Sequence, residues 1–469
     1  MPIEQIANDF AAYIMLCDKQ FLVTINDRLC KFFARENRDD MRVFCDKPIK
    51  KQFVFGFDEN NNKVALMIEQ SVPNPVFVLN FGPNYQSFTT PVIIKGRRSK
   101  DRLDELENFD AITFTGGVID SIYPPGIQAL DVESLWKRHE SGSRAIKIRA
   151  FDEYTYRYPF ELFCEKGAFL YSVSQDGSDG VSGKLGKLSA MIRLEFDSPQ
   201  PLDGFEHYYV LIKNFISFCV GQHNIRFDGV ELNRRITEGK DAGKFQELGI
   251  CKVFDDYVDY IESAYNRVLL IKLFDASIIN ALKLFSDAKS APILDFLPGS
   301  NKRTHMITYD DIRNICTALE FEYAKGKFPS RKKEEMRGLK KEIKNTISKY
   351  CEENRVPKEI KDRALSSFRY LDISAADMFC AMRDRIKKRL AICCTDESIM
   401  KAIDIEDRDI RELVKARNNI THGRLITEWG NIVESYIKLY RVAYLCILDR
   451  IGISEENFIQ CIERINRII

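Results

Sequence analysis

FVFGFDENNNKVALMI, Phe53 to Ile68, decides the architecture of the N-terminal half. Phe53, Phe55 and Phe57 alternate along the chain, the period of a strand with one face in a core. Asp58-Glu59-Asn60-Asn61-Asn62 then supplies turn formers, and Val64–Ile68 is a second apolar run. The pattern predicts a β-hairpin with a five-residue loop. Outward from it, the same β-branched and aromatic signature recurs at Val76–Phe81, Val92–Ile94, Ala111–Thr115, Ile146–Ala150, Phe160–Cys164, Phe169–Val173 and Met191–Phe196. Gly, Pro and Asn fill the gaps. A helix from about Gly204 to Val220 and a strand around Ile225–Leu232 close this region. Many short strands without intervening helices predict an antiparallel sandwich or barrel.

From about Phe245 the apolar period reads as helical, with one long segment running from Val253 toward Phe285. Ser286–His305, with Pro292, Pro298 and Gly299, reads as a boundary or linker. Thr308 and Asp311 then make an N-cap pair, and Ile312, Ile315, Cys316, Leu319 and Tyr323 form one stripe. Further helices fit Lys332–Asn354, Lys358–Tyr370, Ala375–Ile392, Ile405–His422, Asn431–Ile451 and Glu455–Ile468. Several such helices with short connections predict a bundle. The expected fold is therefore α+β and multidomain: an antiparallel β-rich domain over residues 1–235, a helical connector over 236–300 and an all-α bundle over 301–469. No internal repeat or low-complexity tract stands out.

A chain of 469 residues is long enough for two to four domains at roughly 150 residues each. A net charge of +1 excludes a dominating basic or acidic field, so any nucleic-acid contact must come from a local patch. Thirteen cysteines, from Cys17 to Cys461, include no CxxC pair. Without a visible signal peptide they read as free thiols in a reducing cytoplasm, and scattered histidines argue against zinc. The longest apolar run, Tyr208 to Gly221, is shorter than the ~20 residues of a membrane helix and carries Lys213, so it reads as a buried helix.

Chemistry concentrates in Arg417-Asn418-Asn419-Ile420-Thr421-His422, followed by Gly423. Histidine moves protons near neutral pH, arginine grips phosphate with a fixed fork of donors, and asparagine adds a neutral donor and acceptor. Such a set suits cleavage of a phosphodiester without a metal. Ile410, Leu413, Val414 and Ile420 form the apolar stripe of this helix, and Arg417 falls within it, seven after Ile410. A charge there is costly unless it is paired or faces a polar cleft. Pairing with an acidic neighbour is the plain alternative, and Glu320, beside the stripe of the first bundle helix, is one candidate. Asn418 and His422, at i and i+4, share the adjoining face. Gly423 suits the C′ position, so the helix should end at His422, the negative end of its dipole.

Arg-Asn-x-x-x-His, late in a C-terminal helical bundle, resembles the R-x(4–6)-H signature of HEPN domains, with a polar residue directly after the arginine. The whole chain resembles ApeA-type HEPN proteins of bacterial anti-phage defence, which carry a β-rich N-terminal region. Asp120–Leu130 (DSIYPPGIQAL) and Leu194–Leu232 support that half of the likeness. The resemblance implies a metal-independent endoribonuclease with no cofactor and an RNA substrate. HEPN sites form where two bundles meet, so a single motif implies a homodimer or higher homo-oligomer. It implies His422 as general acid or base, Arg417 stabilising phosphate charge and Asn418 orienting the site. The β-rich region would sense a phage protein trigger or restrain the nuclease. Two alternatives stay open: a non-catalytic bundle that binds RNA or protein, and an antitoxin-like scaffold partner of a nucleotidyltransferase.

Lys415 and Arg424 flank the motif and are candidate phosphate contacts. Arg383, Arg385, Lys387, Lys388 and Arg389 crowd one helix; Arg385 and Lys388 are candidate RNA contacts, against a solvated face shared with Asp384. Gly177–Lys184 (GSDGVSGK) imitates a P-loop but has five residues between its end glycines instead of four, and Leu185 where Ser or Thr must bind magnesium. It reads as a loop between strands. Asp58-Glu59-Asn60 lacks the spaced ligands of a calcium loop. His139, His207, His223 and His305 read as structural or surface residues.

Overall fold

The computed structural model of the chain describes residues 6–7, 9–34, 40–41, 43–46, 49–69, 85–98, 106–131, 147–148, 150–176, 187–254, 267–298, 307–326, 328, 331–367, 374–394, 396–426 and 429–468. It forms two compact units, Met1–Ile216 with Asn224–Tyr265, and Ser217–His223 with Asn266–Ile469. The strand candidate Val76–Phe81, the Gly177–Lys184 loop, His139 and His305 lie outside the described residues.

The quoted hairpin is β4 (Gln52–Asp58) and β5 (Asn62–Glu69), paired antiparallel from Gln52↔Ile68 to Phe57↔Lys63. Its loop is Glu59–Asn61, shorter than five residues. The Asp58 carboxylate accepts the backbone N–H groups of Asn60 and Asn62 at 2.9 and 2.8 Å, and Asn61 takes φ 59°. One side chain thus closes the turn on itself. Three strands precede the hairpin: β1 (Asp9–Leu16), β2 (Lys19–Asn26) and β3 (Leu29–Ala34). Their connections, Cys17-Asp18 and Asp27-Arg28, hold neither Gly nor Pro, yet Cys17, Asp18 and Asp27 all have positive φ. The usual sequence marker of a tight hairpin is missing there.

β6 (Tyr85–Arg98) links the first five strands to the rest of the large sheet. One edge pairs with β5; the other pairs first with β3, Phe33↔Tyr85 to Leu29↔Thr89, and then with β14 (Phe245–Val253), Val253↔Val92 to Gly249↔Gly96. Because β4 also pairs with β1, the order β1-β2-β3-β6-β5-β4 returns to its start. The result is a closed six-stranded antiparallel barrel, which leaves no free edge within the ring. Ala12, Ile14, Phe21, Val23, Phe32, Val64, Leu66 and Phe88 fill it. Edge-on rings, Phe32 on Phe88 at 5.2 Å among them, do the packing.

The sheet continues past β6 and β14 as β13 (Gly229–Arg235), β7 (Asn108–Thr115), β12 (Lys187–Pro201), β11 (Glu165–Asp176) and β10 (Tyr156–Leu162). A separate two-stranded sheet pairs β8 (Leu130–Asp131) with β9 (Lys147–Ile148), the only part of Ile146–Ala150 in a strand among the described residues. Helix α1 (Phe205–Val220) lays Tyr208 on Phe196, Tyr209 on Phe114 and Phe215 on Phe169. Most of the apolar run at Tyr208–Gly221 is thus buried, Val210 being exposed, and no helix among the described residues is long and apolar enough to cross a membrane.

Three expectations fail here. Phe245–Val253, expected to open the helical half, is a strand, and the first unit runs past residue 235 to Tyr265. Its apolar residues mix both periods, and pairing with β13 and β6 on either side settles the outcome. Nor is Val253 to Phe285 one helix. Ile271–Leu273 and Asp275–Ser277 are single 3-10 turns, and among the described residues of this stretch only Ile278–Phe285 (α2) is α-helical. The expected linker also has structure: Pro292–Phe296 is a 3-10 turn packed on α3 (Tyr309–Lys325), with Ile293 and Leu294 buried.

The second unit is helical. After α3 come α4 (Arg331–Glu353), α5 (Lys358–Ser367), α6 (Ala375–Cys393), α7 (Asp407–Thr421), α8 (Gly430–Ile451) and α9 (Glu455–Ile468). These match the expected helices to within a few residues at their described ends. Thr308 Oγ1 accepts from the Asp311 N–H while Asp311 Oδ2 accepts the Thr308 N–H at 2.7 Å, the reciprocal cap expected from their spacing. Ile312, Ile315, Cys316, Leu319 and Tyr323 are all buried. α3, α6, α7 and α8 pack mutually, and α8 carries the deepest face, including Leu439, Val442, Leu445 and Leu448.

Candidate functional site

Helix α7 buries Ile410, Leu413 and Ala416, while Val414 and Ile420 are half-buried. Arg417 stands at the edge of that stripe, its side chain 26% exposed. Its Nη2 forms an ion pair with Oε1 of Glu320 on α3, ninety-seven residues earlier in the chain. The pairing foreseen as the alternative is therefore made. Its Nε is buried and makes no hydrogen bond among the described residues. Cys316 lies one turn before Glu320; burial pushes its thiol up to about 12, against the effect of the nearby Arg417 guanidinium.

The end of the helix follows from Gly423. His422 is the C-cap, at φ −95° and ψ 14°, and Gly423 takes φ 72°, the left-handed region that glycine enters freely. The Gly423 N–H donates to the Ile420 carbonyl at 3.0 Å and the Arg424 N–H to the Asn419 carbonyl at 2.8 Å, a Schellman closure. Thr421 Oγ1 donates to the Arg417 carbonyl at 2.9 Å. His422, Asn418, Lys415 and Arg424 are exposed.

At about 100° per residue, Lys415, Asn418 and His422 share one face, whereas Arg417 is turned about 140° from His422. The cation of the motif faces α3 and the imidazole faces solvent. Arg411, exposed and one turn before Lys415, extends the basic face. Its i, i+4 spacing from Lys415 is the signal that marks it in the sequence.

Four basic residues of α6, Arg383, Arg385, Lys387 and Arg389, are engaged with acidic partners. Arg383 is buried, donating to the Ile405 carbonyl at 2.6 Å and to Asp407 at 2.7 Å. Arg385 and Arg389 share Asp449 at 2.7 and 2.6 Å, and Lys387 pairs with Asp404. Arg385 also lies over the Phe328 ring at 5.3 Å. Lys388 is exposed. Arg383 anchors the start of α7, roughly 22 Å from His422 along a fifteen-residue helix. Arg385 and Lys388 are therefore not gathered with His422. Of the other histidines, His207 packs on Phe163 at 5.7 Å, and the His223 N–H donates to the Pro298 carbonyl at 2.9 Å. Among the described residues, no three His, Cys, Asp or Glu side chains gather as a metal site.

No protein-family model matches the chain, and no curated protein or solved structure matches it.

Proposed function

We propose that the chain is a metal-independent endoribonuclease of the HEPN type, acting in bacterial anti-phage defence in the manner of the ApeA-type proteins it resembles. One observation carries the reading: an Arg-Asn-x-x-x-His motif ends a helix of the α-helical unit, with His422 presented to solvent beside Asn418, Lys415 and Arg424. On this reading the second unit is a HEPN bundle. His422 takes the proton of a ribose 2′-OH or gives one to the departing 5′-oxygen. The 2′-oxygen attacks the neighbouring phosphorus, leaving a 2′,3′-cyclic phosphate, and so RNA rather than DNA is cut. Arg417 stabilises charge on the phosphate, Asn418 orients it and Lys415 and Arg424 hold the flanking backbone.

Arg417 and His422 diverge on their helix, so one chain does not aim both at one phosphate. The proposal accordingly includes a homodimer or higher homo-oligomer in which two bundles complete the site. The β-rich unit would recognise a phage protein and release the nuclease.

RNA turnover in EDTA by the wild type and by His422→Ala is the test. Loss of cleavage in the variant is expected, and equal cleavage would remove His422 from the mechanism. The Arg417–Glu320 pair favours one rival, in which Arg417 is structural and the bundle binds RNA without cutting it. RNA binding without cleavage, insensitive to His422→Ala, would select that rival.

A further inference from the structure

Glu320 stands where a phosphate would need to be. Its Oε1 holds Nη2 of Arg417, the nitrogen common to both two-pronged edges of a guanidinium. The partner nitrogen on the side-on edge, Nε, is closed off by burial. A phosphate arriving at Arg417 therefore meets a charge already neutralised by contact, together with a carboxylate that repels it. Neither group is so deep that the pair is locked: the Glu320 side chain is 38% exposed and that of Arg417 26%. At such exposure an ion pair is screened by solvent and weak enough for a polyanion to displace.

We infer that Glu320 is an internal competitor for the phosphate-binding arginine, a carboxylate mask that lowers the hold of Arg417 on RNA until the two separate. The inference rests on the proposed role of Arg417 toward phosphate. It adds a residue that the motif does not contain and a reason for a resting state of low activity. Glu320 acts through Arg417, so it is a positioning residue.

The test uses the full chain and a fluorescein-labelled, fully 2′-O-methylated single-stranded RNA, which binds but cannot be cleaved. Glu320→Gln keeps the shape and an oxygen acceptor while removing the charge. Its binding should tighten about 5- to 10-fold at low salt. The dependence of log K on log salt should steepen by about 0.7, the increment for one added single-strand phosphate contact. Glu320→Ala should move in the same direction, and in an Arg417→Ala background neither change should alter binding. Unchanged or weaker binding in both Glu320 variants would overturn the mask and leave Glu320 a prop for α7. So would an effect that survives without Arg417.

Cleavage of an ordinary RNA in EDTA is followed in parallel. If the Glu320 variants bind more tightly while His422→Ala cleaves like the wild type, the mask stands and the nuclease mechanism falls.

Discussion

Arg417 and His422, five residues apart on α7, point about 140° away from each other: Glu320 holds the first toward α3, and the second is exposed at the helix end. The two residues therefore carry different loads in the folded chain, and substitutions separate them.

His422→Ala removes an exposed side chain at a C-cap whose hydrogen bonds are made by backbone atoms. Its urea midpoint should stay within error of the wild type, while the proposed metal-independent RNA cleavage should fall at least ~100-fold, the usual contribution of a general acid or base. Arg417→Ala should lose activity and also about 1 kcal/mol of stability, because it deletes a half-exposed ion pair and the packing of the arginine stem. A variant of His422 that unfolds as readily as the Arg417 variant would contradict this division.

Gly423 has nothing within 4 Å of where a Cβ would sit, so backbone strain alone opposes a side chain there. At φ 72°, Gly423→Ala should cost about 1 kcal/mol in urea denaturation, and Gly423→Asn less, since asparagine tolerates the left-handed region. Equal stability of the alanine and asparagine variants would remove the Schellman closure as the cause.

Glu322, 3% exposed on α3, meets Arg450 Nη2 at 3.2 Å, but neither of its carboxylate oxygens makes a hydrogen bond among the described residues. Burial raises its pKa from 4.5 to about 7, against the opposing pull of Arg450 and Lys325. The folded state thus binds a proton that the unfolded chain has released. The contribution of this group is fully present below about pH 4.5 and is lost as pH rises through about 7. Unfolding free energies at pH 5, 6, 7 and 8 should fall more steeply for the wild type than for Glu322→Gln, by about 3 kcal/mol over the whole window. Parallel curves would show that Glu322 ionises normally.

Gly56 sits where β4 closes the barrel on β1, in register with Ile14. A Cβ there would lie 1.9 Å from the Tyr13 carbonyl oxygen and 2.8 Å from the Ile14 side chain. Backbone cannot yield as a flexible side chain does, so Gly56→Ala should cost about 3 kcal/mol or more. Gly126→Ala, with nothing within 4 Å, should be close to neutral. Thermal denaturation of the two variants, measured side by side, decides the point.

What is legible in the sequence is whatever short-range geometry determines. The Phe53–Ile68 hairpin, the reciprocal cap of Thr308 and Asp311, the buried stripe from Ile312 to Tyr323 and the helix stop at Gly423 each depend on residues a few positions apart. Their hydrogen bonds close within the segment that writes them. The three N-terminal strands escape because residues other than glycine occupy their left-handed turn positions.

Tertiary structure decided what depends on distant partners. Phe245–Val253 is a strand because β13 and β6 offer it two edges. The barrel closes because β6 is long enough to serve three neighbours. Arg385 is tied to Asp449, sixty-four residues away, and Arg417 to Glu320, ninety-seven away. A residue's own type sets which interactions it can make, but only the packed chain brings a partner within reach. The motif was written in six consecutive residues, and the carboxylate that holds its arginine was supplied by another helix.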